Sequence, residues 1–147
     1  MPKIDIASIT PRLGSSYPVA FKAPIVGREK YALGDAAGLT QFGVNLTRLK
    51  PGAASSLRHW HENEDELIFV LEGEMVLIED GGETLLRPGD AAGFKAGVAN
   101  GHQLVNKFAR ALSRRGSGRA KGRARFPLHQ EIRRTLSRLR RPAGELR

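Results

Sequence analysis

From about residue 31 to residue 105, short apolar runs alternate with turn residues, and no stretch there carries a long helical period. Residues 39–49 form a β-rich run ended by Pro51-Gly52. Residues 57–61 make a shorter one, and Glu62-Asn63-Glu64-Asp65 reads as a polar loop. Residues 66–71 are strongly apolar, and Glu72-Gly73 turns them into residues 74–79. Asp80-Gly81-Gly82 suits a hairpin, because glycine accepts the positive φ of the primed turns. Residues 83–86, 91–94 and 102–105 follow, with Pro88-Gly89 between the first two. Turn signals about every 8–12 residues predict an all-β, antiparallel barrel or sandwich. The run Leu67-Ile68-Phe69-Val70-Leu71 is apolar at consecutive positions, which predicts a strand buried on both faces. Residues 19–21 and 24–26 are expected to add edge strands or to exchange with a second subunit.

After Asn106 the pattern changes. Residues 108–126 are rich in Arg, Gly, Ser and Ala and show no strand alternation. Residues 129–141 place Ile132, Leu136 and Leu139 at i, i+4 and i+7, which predicts a helix with a narrow apolar stripe. The chain thus divides into an N-terminal arm or edge strands at 1–37, a β core at 38–106 and an Arg-rich tail at 107–147.

Charge sharpens this division. The net charge of +9 is not spread evenly. Residues 1–106 hold 10 Lys+Arg against 13 Asp+Glu, whereas residues 107–147 hold 14 Lys+Arg against Glu131 and Glu145 alone. A mildly acidic domain joins a very basic tail. The length of 147 residues suits one domain. No cysteine is present, so disulfides and thiolate metal sites are excluded, and a metal must rest on histidine and carboxylate. The first residues lack the apolar core of a signal peptide and no run has the length of a membrane span, so the expected location is cytoplasmic.

His59-Trp60-His61 carries the first chemistry. In a strand, side chains at i and i+2 project from one face with Cα atoms roughly 6.5–7 Å apart, so both imidazoles can bind one ion. Glu66 follows a short loop and can reach the same point, and His102 can complete the set from a later strand. Three neutral imidazoles and a carboxylate suit Fe, Mn, Ni, Cu or Zn. On an octahedral ion they leave two positions open for substrate or dioxygen. An isolated His-x-His is weak evidence, since two surface or hydrogen-bonded histidines are the commoner reading. The surrounding spacing decides between these readings.

Gly52, six residues, His59-Trp60-His61, four residues, Glu66, six residues and Gly73 resemble the first motif of the cupin superfamily. Gly89, five residues, Lys95-Ala96-Gly97, four residues, His102, three residues and Asn106 resemble the second. Three departures stand out: one extra residue before His59, Lys95 in place of proline, and two extra residues before His102. Changes of loop length cost little, while loss of the proline is expected to loosen the turn presenting His102. The resemblance covers roughly residues 38–106. It implies a cupin-type antiparallel β-barrel, or jelly roll, with His59, His61, Glu66 and His102 as ligands of one divalent transition metal (Fe, Mn, Ni or Zn).

Spacing to Gly73 favours Glu66 over Glu64, and Glu62, Glu64 and Asp65 then read as a solvated loop. Gly73 and Asn106 are expected to be structural, and Trp60 to pack. Gln41, Asn45 and Gln103 are expected among the polar pocket residues, and His129, in the tail, is not expected to be a ligand. The implied function is metal-dependent action on a small molecule, as an oxygenase or an isomerase or epimerase. The alternative is a non-catalytic metal- and ligand-binding module. A homodimer is the expected assembly.

The tail admits further readings. An arginine-rich arm can bind nucleic-acid phosphates, with affinity falling as salt rises. A basic amphipathic helix can lie on an anionic membrane, and a charge run can also be a solvated segment with no specific partner. The change in composition at about Lys107 is also what a reading-frame shift in a GC-rich gene produces. On that reading no later segment supplies the strand that closes the sheet, and an exposed edge remains.

Overall fold

The computed structural model describes residues 3–108 and, as backbone, residues 129–137. The described chain is almost entirely antiparallel β structure. Its strands are β1 (Arg12–Leu13), β2 (Arg28–Ala32), β3 (Phe42–Leu49), β4 (Glu64–Glu72), β5 (Met75–Glu79), β6 (Gly82–Leu86), β7 (Ala91–Phe94), β8 (Gln103–Val105) and β9 (His129–Ser137). One short helix, α1 (Leu33–Ala36), links β2 to β3. No helix among the described residues is long and apolar enough to cross a membrane.

Two sheets result. One has the order β1-β2-β3-β9-β4-β7 and the other β6-β5-β8. Leu49 of β3 and Ile68 and Val70 of β4 pack with Met75 and Leu77 of β5, Leu86 of β6 and Leu104 of β8. The sheets therefore meet across one apolar cluster, to which Phe94 at the end of β7 adds its ring. Each such fully buried aliphatic side chain contributes about 1.5–3 kcal/mol.

Turn chemistry sets the strand order where the sequence indicated. Gly73 between β4 and β5 has φ +76°, a conformation costly for any residue with a Cβ. Asp80 and Gly81 lead into β6, whose Gly82 pairs with Glu79. Asn106 is fully buried and closes the end of β8: its Nδ2 donates to Leu49 O at 2.9 Å and its Oδ1 accepts from Phe108 N at 3.1 Å. The structural role expected of Asn106 is the one observed.

Several expectations change. Residues 57–61 do not form a strand; His59 makes only an isolated bridge with His102. Residues 19–21 and 23–25 are single 3-10 turns, and the N-terminal strands are β1 and β2 instead. β4 is not buried on both faces. Ile68 and Val70 point into the core, while Leu67, Phe69 and Leu71 remain 45%, 40% and 41% exposed. A continuous apolar run hides this alternation, since both faces carry apolar residues for different reasons.

The largest correction concerns the tail. The helix expected at 129–141 is, over residues 129–137, the strand β9, paired with β3 on one side and β4 on the other. Ile132 and Leu136 lie four apart, which satisfies a helical stripe and the even parity of a strand equally well. The open edges of β3 and β4 decide the matter, because a strand satisfies both rows of backbone groups. A later segment therefore does supply a strand beside β3. The irregular stretch expected at 108–126 lies, beyond Phe108, outside the described residues, as does Leu139.

Candidate metal centre

Three pieces of chain bring the four chemical groups together. The segment after Ala53 runs beside β8, bonded through Ser55 N to Leu104 O at 2.8 Å, Ser55 Oγ to Leu104 N at 3.0 Å, and the paired backbones of His59 and His102 at 2.9 and 3.2 Å. This fixes His59, His61 and His102 relative to one another without a regular strand. Glu66 enters from β4, paired with Phe94 of β7 and with Thr135 of β9 in the backbone register. The buried face of β4 that carries Ile68 and Val70 thus also carries Glu66, which is 3% exposed.

Glu66 Oε2 is the point of convergence. It lies 3.0 Å from His102 Nε2, 3.2 Å from His61 Nε2 and 4.0 Å from His59 Nε2. His59, His61 and Glu66 place one ligand atom each within 4.8 Å of one another. His102 is not in that group of three but joins it through Glu66 Oε2, with its ring 5.0 Å from that of His59 and 6.4 Å from that of His61. Depth differs across the group: the Glu66 and His102 side chains are almost completely buried, whereas His59 and His61 are nearly one-third exposed. The opening lies on the side of the two paired histidines.

Behind each ring is a second partner. His59 Nδ1 sits 2.9 Å from Leu57 O and 3.2 Å from Ser56 Oγ. His102 Nδ1 faces Asn100 O at 3.4 Å, and His61 Nδ1 lies 3.9 Å from Glu64 Oε2. A carbonyl or carboxylate oxygen only accepts, so a ring nitrogen in hydrogen-bond contact with one must donate; His59 and His102 turn Nδ1 to a backbone carbonyl, and all three rings turn Nε2 toward Glu66. Outer oxygens that orient imidazoles in this manner accompany metal-ligating histidines. Phe94 stacks on His102 with centroids 3.6 Å apart and planes 8° apart, which locks that ring from one face.

A pocket of about 210 Å³ opens over His61 and His102, walled by Trp60, Glu64, Phe94 and Lys95 among others. Trp60 is 40% exposed and lines this pocket, where packing was expected. Gln41, Asn45 and Gln103 do not line it; the polar positions are Glu64, Lys95 and Asn100. Of the three loop acids, only Glu62 has no contact with the site. Asp65 Oδ1 accepts from Ala96 N at 2.8 Å, and His61 O accepts from Gly97 N at 2.9 Å. These bonds fasten the 95–97 turn without proline, so the expected loosening does not follow. The departure Lys95 was the one sequence signal for a pocket residue; faces set by irregular segments left no other.

An antiparallel two-sheet domain with a histidine–carboxylate cluster between its sheets defines a class that comparison with known proteins names. The cupin domain family model matches residues 45–113, running past Lys107. A sugar phosphate isomerase of the cupin superfamily from Silicibacter pomeroyi is 43% identical, with 93% of this chain and 76% of that one covered and a TM-score of 0.79. A putative sugar phosphate isomerase from Acidithiobacillus ferrooxidans is 28% identical over 76% of this chain and 60% of that one, with a TM-score of 0.59. A predicted oxalate decarboxylase from Thermotoga maritima shares the fold at 18% identity, covering 92% and 99% with a TM-score of 0.64. No curated protein sequence matches the chain. The chain belongs to the cupin superfamily and is a small cupin-domain protein.

Proposed function

We propose that this protein is a metal-dependent sugar phosphate isomerase, with His59, His61, Glu66 and His102 holding one divalent transition metal in a jelly-roll barrel. The observation that carries the reading is the convergence of three Nε2 atoms on one carboxylate oxygen, with Nδ1 of His59 and of His102 turned outward to backbone carbonyls. The donor set fits such an ion. It combines three nitrogens and one anionic oxygen, it is deep on one side, and it is open on the other. Isomerisation is favoured over oxygenation by the 43% identical relative described as a sugar phosphate isomerase.

A divalent ion so held supplies Lewis-acid polarisation of a substrate oxygen. The remaining work falls to the protein. Glu64 is the carboxylate in the pocket wall; it takes the proton from the hydroxyl-bearing carbon next to the carbonyl and returns it to the carbonyl carbon, while the hydroxyl proton passes to the former carbonyl oxygen. Its second role is to steady His61 through Nδ1. Trp60 and Phe94 flank the pocket and exclude water from the reacting carbons.

The test is turnover of aldose and ketose phosphates by the metal-loaded protein. Glu64→Gln keeps a polar partner for His61, so it should retain metal and lose turnover about 10²–10⁴-fold. Binding of the sugar phosphates without turnover by the loaded wild type would favour the non-catalytic module. The exposed row Leu67, Phe69 and Leu71 on β4 supports the homodimer as its covered face.

A further inference from the structure

We infer that Lys95 is the residue that recognises the phosphate of the substrate, at the mouth of the pocket above His61 and His102. This rests on the proposed isomerase reading and extends it to the group that selects the substrate.

Three observations converge on Lys95. First, it lines the same pocket as His61 and His102, and it is the one cation among the described lining residues. Second, it carries no ion pair among the described residues. The described arginines, by contrast, are all engaged: Arg12, Arg58 and Arg87 with carboxylates, Arg28 with backbone carbonyls, and Arg48 with the Tyr31 hydroxyl. Third, its backbone is held in place. Lys95 O accepts from Val98 N at 3.3 Å, and the next two amides bond to Asp65 and His61 at 2.8 and 2.9 Å. The bond to the His61 carbonyl ties the turn to the backbone that carries one of the imidazoles.

An ammonium on a fixed turn is a point charge suited to phosphate, with three donors and a flexible stem that follows the ligand. A proline there would fix the turn just as well but would offer the pocket no charge. His61, His102 and Glu64 line the same pocket, so a substrate held there sets its anionic end at Lys95 and its reacting carbons at the histidine side. Asn100 reinforces the pocket wall: its Oδ1 accepts from Asp80 N at 3.0 Å, which leaves its amide hydrogens as the uncommitted end.

Trp60 is the single tryptophan of the chain and lines this pocket, so its emission reports occupancy directly. The full-length protein, zinc-loaded and metal-free, is titrated with a hexose 6-phosphate and with the same hexose lacking phosphate. The wild type should bind the phosphorylated sugar about tenfold or more tightly, with the preference shrinking as salt rises. Lys95→Ala should remove the preference with metal content and melting temperature unchanged, and Lys95→Arg should restore most of it. In turnover the loss should fall on KM rather than kcat. A wild type with no preference, or a Lys95→Ala protein that keeps it, overturns the assignment. A Lys95-dependent preference in protein that takes up no metal sustains the anion site while removing the isomerase reading.

Discussion

β4 and β9 lie side by side in one sheet, each nine residues long and each paired along most of its length. They earn that place differently. β4 is held by what its side chains bury: Ile68 and Val70 are inaccessible to solvent, and Glu66 on the same face meets the histidine cluster. β9 reads His-Gln-Glu-Ile-Arg-Arg-Thr-Leu-Ser, and its backbone is paired to β3 and β4 on both sides. The first strand is marked by hydrophobic burial, and the second is placed by main-chain pairing to two neighbours. A strand can therefore be essential to a sheet while its sequence looks like a solvated tail.

Substitution separates the two modes. Ile68→Asp places an unpaired charge in the core and should cost about 4 kcal/mol or more, enough to abolish cooperative thermal unfolding. In β9, Arg133 pairs with Asn45 on one side and Ile68 on the other. Arg133→Pro removes a ladder donor there and should cost on the order of 2–3 kcal/mol in a denaturant titration. Arg133→Ala keeps the main-chain donor and should cost less than the proline change. Equal damage from Ala and Pro at 133 would mean that side chains, not the ladder, hold β9. The smallest effect belongs to the outer row of β4. Phe69→Lys should leave the melting temperature nearly unchanged while shifting the protein to monomer by size-exclusion chromatography.

The same contrast explains what the sequence made legible. The strands from β3 to β8 were visible because turn glycines and apolar runs mark them, as at Gly73 and at Asp80-Gly81-Gly82. The four residues were named through spacing, and in the structure the three histidines lie around Glu66 Oε2. β9 was not visible. Its Ile132 and Leu136 fit two periods, and only the open edges of β3 and β4 choose between them. Trp60 and Lys95 escaped as a pair for a related reason. They sit on an irregular segment and a tight turn, where no period says which way a side chain faces. Solvated-looking Asp65 is likewise a cap for Ala96, a contact between segments far apart in sequence.

The centre depends on both strands, since Glu66 of β4 has Thr135 of β9 as its register partner. Metal content of the purified full-length protein, measured by elemental analysis after reconstitution, tests the central claim most directly. Wild type should hold close to one transition metal per chain, and acid should release it as protons compete for the imidazoles. His102→Ala and Glu66→Gln should each lower retention at least tenfold while the fold persists by circular dichroism. A folded wild-type protein that takes up no Fe, Mn, Ni or Zn, or that holds its metal equally well without His102 and Glu66, would contradict the account.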